Sequence, residues 1–276
     1  MKIYNILYII PLLFAITACE KENDTGTESP LDGLTKLSEG YAIGASAKVE
    51  IWGKENYFAG YNNLSVVLYD SLDLSRKITD AHITFEPMMY MDMGMMTHTH
   101  ATPVENPGQE ATEGVFKGAI VFIMPTSDAG DWKLVVNIDN HNNGKNGEAE
   151  FDITVDSPEE SRVVSFISDN PVVDTFFVSL VQPKDPQVGI NDFEVAVFSR
   201  NGAMDYPEVE DLSITIEPEM PSMGHGSPNN ENPVHQDNGH YMGKVNFTMT
   251  GWWKVNLTIQ DGEDIMTDNI SFDITF

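Results

Sequence analysis

The strongest constraint on this chain is that it repeats itself. The run GYNNLSVVLY at 60–69 has a counterpart, GINDFEVAVF, at 189–198, 129 residues further on. ITFEP at 83–87 returns as ITIEP at 214–218, GVFKG at 114–118 as GHYMG at 239–243, and FDITV at 151–155 as FDITF at 272–276. Asp131-Trp132-Lys133 stands opposite Trp252-Trp253-Lys254. The order never changes and the offsets stay between 121 and 131 residues, so chance is a poor explanation. The 276 residues are enough for two ordinary domains. The repeat divides them into homologous units at 40–156 and 162–276, joined near Ser157-Pro158-Glu159-Glu160.

Within each unit the apolar period is two. Leu64, Val66 and Leu68 alternate with more polar neighbours, and so do Val195 and Val197, Phe247 and Met249, and Val255, Leu257 and Ile259. Strands buried on one face read this way. Asp261-Gly262 has the composition of a hairpin turn. No long window carries a helical stripe. The expected fold class is all-β: two tandem immunoglobulin-like antiparallel β-sandwich domains after a signal peptide and tether. With no cysteine in either unit, Trp132 and Trp253 are expected to fill the space between the sheets.

The N-terminus has the marks of an export signal. Lys2 precedes an apolar run from Ile3 to Ile16, shorter than a membrane span. The run closes on Ile16-Thr17-Ala18-Cys19, which resembles a bacterial lipobox. Residues 1–18 are then a lipoprotein signal peptide, Cys19 the lipidated residue, and 19–39 a flexible tether. That anchor implies a membrane-anchored lipoprotein, periplasmic or at the outer membrane or cell surface. Cys19 is the only cysteine, so no intramolecular disulfide forms and a thiolate metal site is not expected. Lys and Arg number 15 against 43 Asp and Glu, for a net charge of -28. A surface of that sign repels nucleic acid and anionic lipid headgroups, which leaves the lipid as the only expected membrane contact.

Both units carry methionine and histidine at the same place, after the Ile-Thr-x-Glu-Pro strand. The first reads EPMMYMDMGMMTHTH, with Met88, Met89, Met91, Met93, Met95 and Met96 followed by His98 and His100. The second offers Met220, Met223, His225, His235, His240 and Met242. Thioethers are soft ligands suited to Cu(I), and imidazole binds copper in both oxidation states. A mixed set without thiolate suits an oxidising compartment. In an extended segment Met89, Met91, Met93 and Met95 share one face, and Met96, His98 and His100 share the other. Met124 and Met249 sit in strand patterns and read as core.

The second unit resembles a known family. Glu217-Pro218-Glu219-Met220-Pro221-Ser222-Met223-Gly224-His225, then Gly239-His240-Tyr241-Met242-Gly243 and Gly251-Trp252-Trp253-Lys254, is similar to the YtkA-like/FixH-like domain. The resemblance implies small extracytoplasmic β-sandwiches associated with copper handling or copper-oxidase assembly. The first unit departs from the pattern, with Asp131 for the first tryptophan and Val115 where the second unit has His240. Nothing points to catalysis: there is no nucleotide-binding glycine loop, no Gly-x-Ser-x-Gly elbow and no free cysteine nucleophile. The expectation is therefore a non-enzymatic, lipid-anchored protein that binds copper, mainly Cu(I), and buffers it or passes it to an oxidase assembly or efflux system. The alternative is a non-catalytic surface adhesion or scaffold module that binds a protein partner.

Overall fold

The computed structural model describes residues 29–92, 94, 97–168 and 174–276. The expected signal peptide, Cys19 and the tether up to residue 28 lie outside the described residues, as do Met93, Met95 and Met96. No described helix is long and apolar enough to cross a membrane.

The first domain contributes β1 (Thr35–Ala42), β2 (Ala47–Gly53), β3 (Gly60–Asp70), β4 (Asp73–Ile78), β5 (Ala81–Asp92), β6 (Thr97–His100), β7 (Val104–Glu105), β8 (Phe116–Phe122), β9 (Gly130–Asn140) and β10 (Lys145–Ile153). The second contributes β11 (Val163–Ser168), β12 (Asp174–Gln182), β13 (Gly189–Ser199), β14 (Ser213–Met220), β15 (His225–Gly226), β16 (Glu231–His235), β17 (His240–Phe247), β18 (Trp252–Asp261) and β19 (Asp264–Thr275). Each domain is an immunoglobulin-like sandwich of two antiparallel sheets. In the first, β1-β2-β3-β8-β7 with β4 on β3 faces β10-β9-β5-β6. In the second, β11-β12-β13-β17-β16 faces β15-β14-β18-β19. β1 takes in residues 35–39, which composition assigns to the tether. It is an edge strand with mostly polar residues, so its period of two is faint.

The repeat explains where each sandwich closes. The Glu-Pro pair falls inside a strand rather than at its end: Pro87 stands opposite Leu134 and Pro218 opposite Val255. On its other side each proline faces no partner strand, because β6 and β15 begin pairing only at Met89 and at Glu219. A residue without an N–H is tolerated on such an edge. Just before the proline an asparagine from the crossing strand caps the edge. Asn106 accepts from the Phe85 amide at 2.8 Å, and Asn232 from the Ile216 amide at 3.1 Å. Gly118 and Gly243 let that crossing strand pass close, since a Cβ there would lie 2.6 Å from the Glu105 oxygen and 2.4 Å from the Glu231 oxygen.

Two cores result. Trp132 packs with Phe85, Phe116, Phe122 and Leu134 in the first, and Trp253 with Phe193, Tyr241, Phe247 and Phe272 in the second. A smaller cluster joins the domains: Tyr61, Ala119 and Val121 from the outer face of the first meet Val181, Ala196 and Phe198 from the second. The Ala101 amide also donates to the Ala203 carbonyl across this seam.

Candidate functional site

The methionine-rich segment folds back on itself. β5 and β6 form a hairpin that sets Met89 opposite His100 and Met91 opposite His98. Directly opposite residues project from the same face, with Cβ atoms about 5 Å apart. The two histidines therefore join Met89 and Met91 on one face, instead of facing away as a single extended strand would require. Met89 is buried against the core and Met91 half-buried on its margin; His100 is half-buried and His98 exposed. No described residue hydrogen-bonds either imidazole. Met88 lies on the other face, opposite Lys133.

The second domain builds the same corner with a tighter turn. The Met223 and Gly224 amides both donate to the Met220 carbonyl at 2.9 Å, and β15 then sets His225 opposite Met220. Met220 is buried, whereas Met223 stands out in solvent. His225 Nδ1 lies 2.9 Å from the Gly226 carbonyl. A carbonyl only accepts, so Nδ1 carries the proton and Nε2 of the neutral ring keeps its lone pair. The His225 ring stands edge-on to Trp253, with centroids 6.2 Å apart.

Two further methionines meet the buried indoles through their backbone carbonyls, a pairing the strand pattern hid. The Trp132 indole donates to the Met124 carbonyl at 3.1 Å, and the Trp253 indole to the Met249 carbonyl at 2.9 Å. Each bond ties a methionine backbone to the buried indole. Met124 is half-buried and Met249 exposed. The available signal was their common offset of 125 residues, read together with the two tryptophans. A glycine completes each corner. A Cβ at Gly130 would lie 2.7 Å from Met89 Cε, and one at Gly251 would lie 2.7 Å from Met220 Cε.

The other expected ligands lie elsewhere. β17 begins at His240 and reaches the Trp253 corner only at Phe247, where the two rings are 5.4 Å apart. Seven residues of strand span about 23 Å. His240, half-exposed Met242 and His235 thus sit at the far end of the domain. Tyr241 points into the core, as the alternation required, but the outward face that carries His240 is covered by the first domain. His240 Nε2 lies 2.8 Å from Glu105 and Nδ1 lies 2.8 Å from Glu194, and Tyr61 donates to the other Glu105 oxygen at 2.7 Å. With both nitrogens taken by carboxylates, His240 is an interdomain clamp rather than part of the Met/His corner. Burial lowers its pKa, but hydrogen bonds to Glu105 and then Glu194, with their charges, outweigh this and raise it to about 9. Burial beside Glu105 also holds the Tyr61 hydroxyl protonated, far above its ordinary range. His235 packs on Tyr241 with ring centroids 5.2 Å apart, and its Nδ1 lies 3.8 Å from exposed Asp211.

Among the described residues no three His, Cys, Asp or Glu side chains converge in a metal-binding group. Each corner offers imidazole and thioether, and thioethers suit a soft monovalent ion rather than a hard divalent one.

These features define a two-domain β-sandwich protein with a Met/His corner in each domain. Residues 172–258 match the YtkA-like family model, so the second sandwich contains a YtkA-like domain. No curated protein gives a significant match. Among solved structures, the chain is similar to a conserved domain protein from Bacillus anthracis at 12% identity and a TM-score of 0.31, covering 87% of this chain and 90% of that one. Domains 5–6 of the S-layer protein SbsC align at 10% identity, TM-score 0.29, over 88% and 97%. Invasin, a bacterial integrin-binding protein, aligns at 9% identity, TM-score 0.21, over 83% of this chain and 39% of its own. Superpositions this loose carry no argument, and the fold assignment rests on the strand pairing.

Proposed function

We propose that this is an extracytoplasmic lipoprotein, anchored through Cys19, that binds copper as cargo, mainly Cu(I), at the two Met/His corners. It buffers the ion or hands it to an oxidase assembly or efflux system. The observation that carries this reading is the repeated cross-strand pair, Met89 with His100 and Met220 with His225. In the first domain Met91 and His98 extend the donor set; in the second, exposed Met223 stands at the turn. One soft sulfur lies below each rim and one imidazole above it, which favours Cu(I) and leaves the ion exchangeable.

A ligand that binds only the folded state raises its melting temperature. Cu(I) or Ag(I) should therefore raise the melting temperature of residues 20–276, and the rise should shrink when His100 and His225 become alanine. A melt that ignores both ions would overturn the reading. It would favour the second one, a surface or scaffold module that binds a protein. Exposed Tyr41, Ile43 and Leu72, at the opposite end of the first domain from its Met/His corner, would be that module's contact face.

A further inference from the structure

The seam between the domains opens into a cleft of about 410 Å³, whose lining includes Glu55, Asn56 and Phe58 of the first domain, Pro158 of the linker, and Arg162 and Lys184 of the second. Both cations are half-buried. The Arg162 guanidinium makes one hydrogen bond, to the Pro183 carbonyl at 3.0 Å, although it has five N–H groups to offer. The Lys184 ammonium makes none to a described residue. Neither forms an ion pair with a described carboxylate, in a chain with 43 acidic residues for 15 basic ones. Lys54, by contrast, reaches Asp185 at 2.7 Å on the rim of the same region.

The electrostatics are unfavourable as they stand. Burial lowers the pKa of both groups, and the Arg162 charge lowers that of Lys184 further. Two like charges held together out of water cost free energy unless an opposite charge joins them. Glu55, which also lines the cleft, pulls the other way on both groups and on Lys184 more strongly than Arg162 does, but it is exposed and forms no ion pair with either cation. Asp156, also on the cleft wall, is engaged by Asn56 at 3.4 Å.

From this arrangement we infer that the interdomain cleft binds a small doubly charged oxyanion, a dicarboxylate or a phosphate ester. The planar Arg162 fork takes one anionic group side-on. The Lys184 ammonium neutralises the second charge, and Phe58 with Pro158 flanks a short carbon skeleton. Because the cleft is formed by both domains, an occupant also stiffens the seam. The site is independent of the Met/His corners.

Isothermal titration with succinate and with inorganic phosphate, at constant ionic strength, tests the inference. Saturable binding of one equivalent is expected. Arg162→Gln and Lys184→Gln should each weaken it about tenfold, the scale of one charge-assisted hydrogen bond. Glu55→Gln should tighten it by removing a competing charge. Lys184 lies in the loop after β12, so its variant keeps the test alive if Arg162→Gln fails to fold, with circular dichroism as the check. Absence of saturable binding by either anion, or binding unchanged in Lys184→Gln, would overturn the inference.

Discussion

The His240 clamp makes the seam between the domains sensitive to pH. Burial lowers the pKa of its imidazole, but the hydrogen bonds and charges of Glu105 and Glu194 outweigh this and raise it to about 9, against an ordinary 6.5. A tenfold gain in proton affinity is worth about 1.4 kcal/mol, so the clamp contributes on the order of 3 kcal/mol. The direction follows from the raised pKa. The contribution is fully present below pH 6.5, where the unfolded chain is protonated too, and is lost as pH rises through about 9. His240→Gln removes the charge and keeps a polar side chain beside Glu105 and Glu194. At pH 6 the variant should be less stable by about 3 kcal/mol, because it leaves two half-buried carboxylates without their cation. Near pH 10 the variant and the native protein should converge. Urea unfolding between pH 6 and 10 provides the comparison, with an NMR titration of the imidazole alongside. A midpoint at or below 6.5, or parallel stability curves for the two proteins, would show that His240 does not clamp the seam as a cation.

The sandwich mouths and edges give two pairs of further outcomes. Gly130→Ala places a methyl against Met89 Cε and Met91 Cγ, and should destabilise the first domain by about 1–3 kcal/mol in urea unfolding. Gly251→Ala adds backbone strain to the same crowding, because Gly251 has φ +131°, and should cost more. Asn232→Ala leaves the Ile216 amide without its acceptor on a proline-bearing edge, at a cost of about 1–3 kcal/mol, and Asn106→Ala should match it at the Phe85 amide. Equal costs at the two asparagines would mark the domains as equivalent in energy as well as in shape.

Much of this architecture is legible in the sequence, and the reason is physical. A strand buried on one face must alternate, so Val255, Leu257 and Ile259 declare β18 without outside help. The repeat supplies what one copy leaves ambiguous, such as the shared place of the two Met/His segments. Alternation fails where a second domain covers the outer face. Val195, Ala196, Val197 and Phe198 are buried in succession because the seam takes the side chains that would otherwise face water. The same blind spot misplaced His240: parity showed that it points outward, but no local pattern shows what lies there. The hairpin pairing was hidden for a related reason. Whether His98 and His100 share a face with Met89 and Met91 depends on where the chain turns, and parity along one strand cannot supply that. Met124 packs against the core as its strand pattern indicates, whereas Met249 is exposed, which the same pattern does not show.

On the proposed function, each domain holds a soft metal ion between a buried methionine and a rim histidine. Titration of residues 20–276 with Cu(I) against a competing chelator tests it most directly, using Met89→Ser with His100→Ala for one corner and Met220→Ser with His225→Ala for the other. Two equivalents are expected in the native protein, one in each double variant and none in the combination, with circular dichroism unchanged. Micromolar or weaker binding that is indifferent to all four substitutions would contradict the claim.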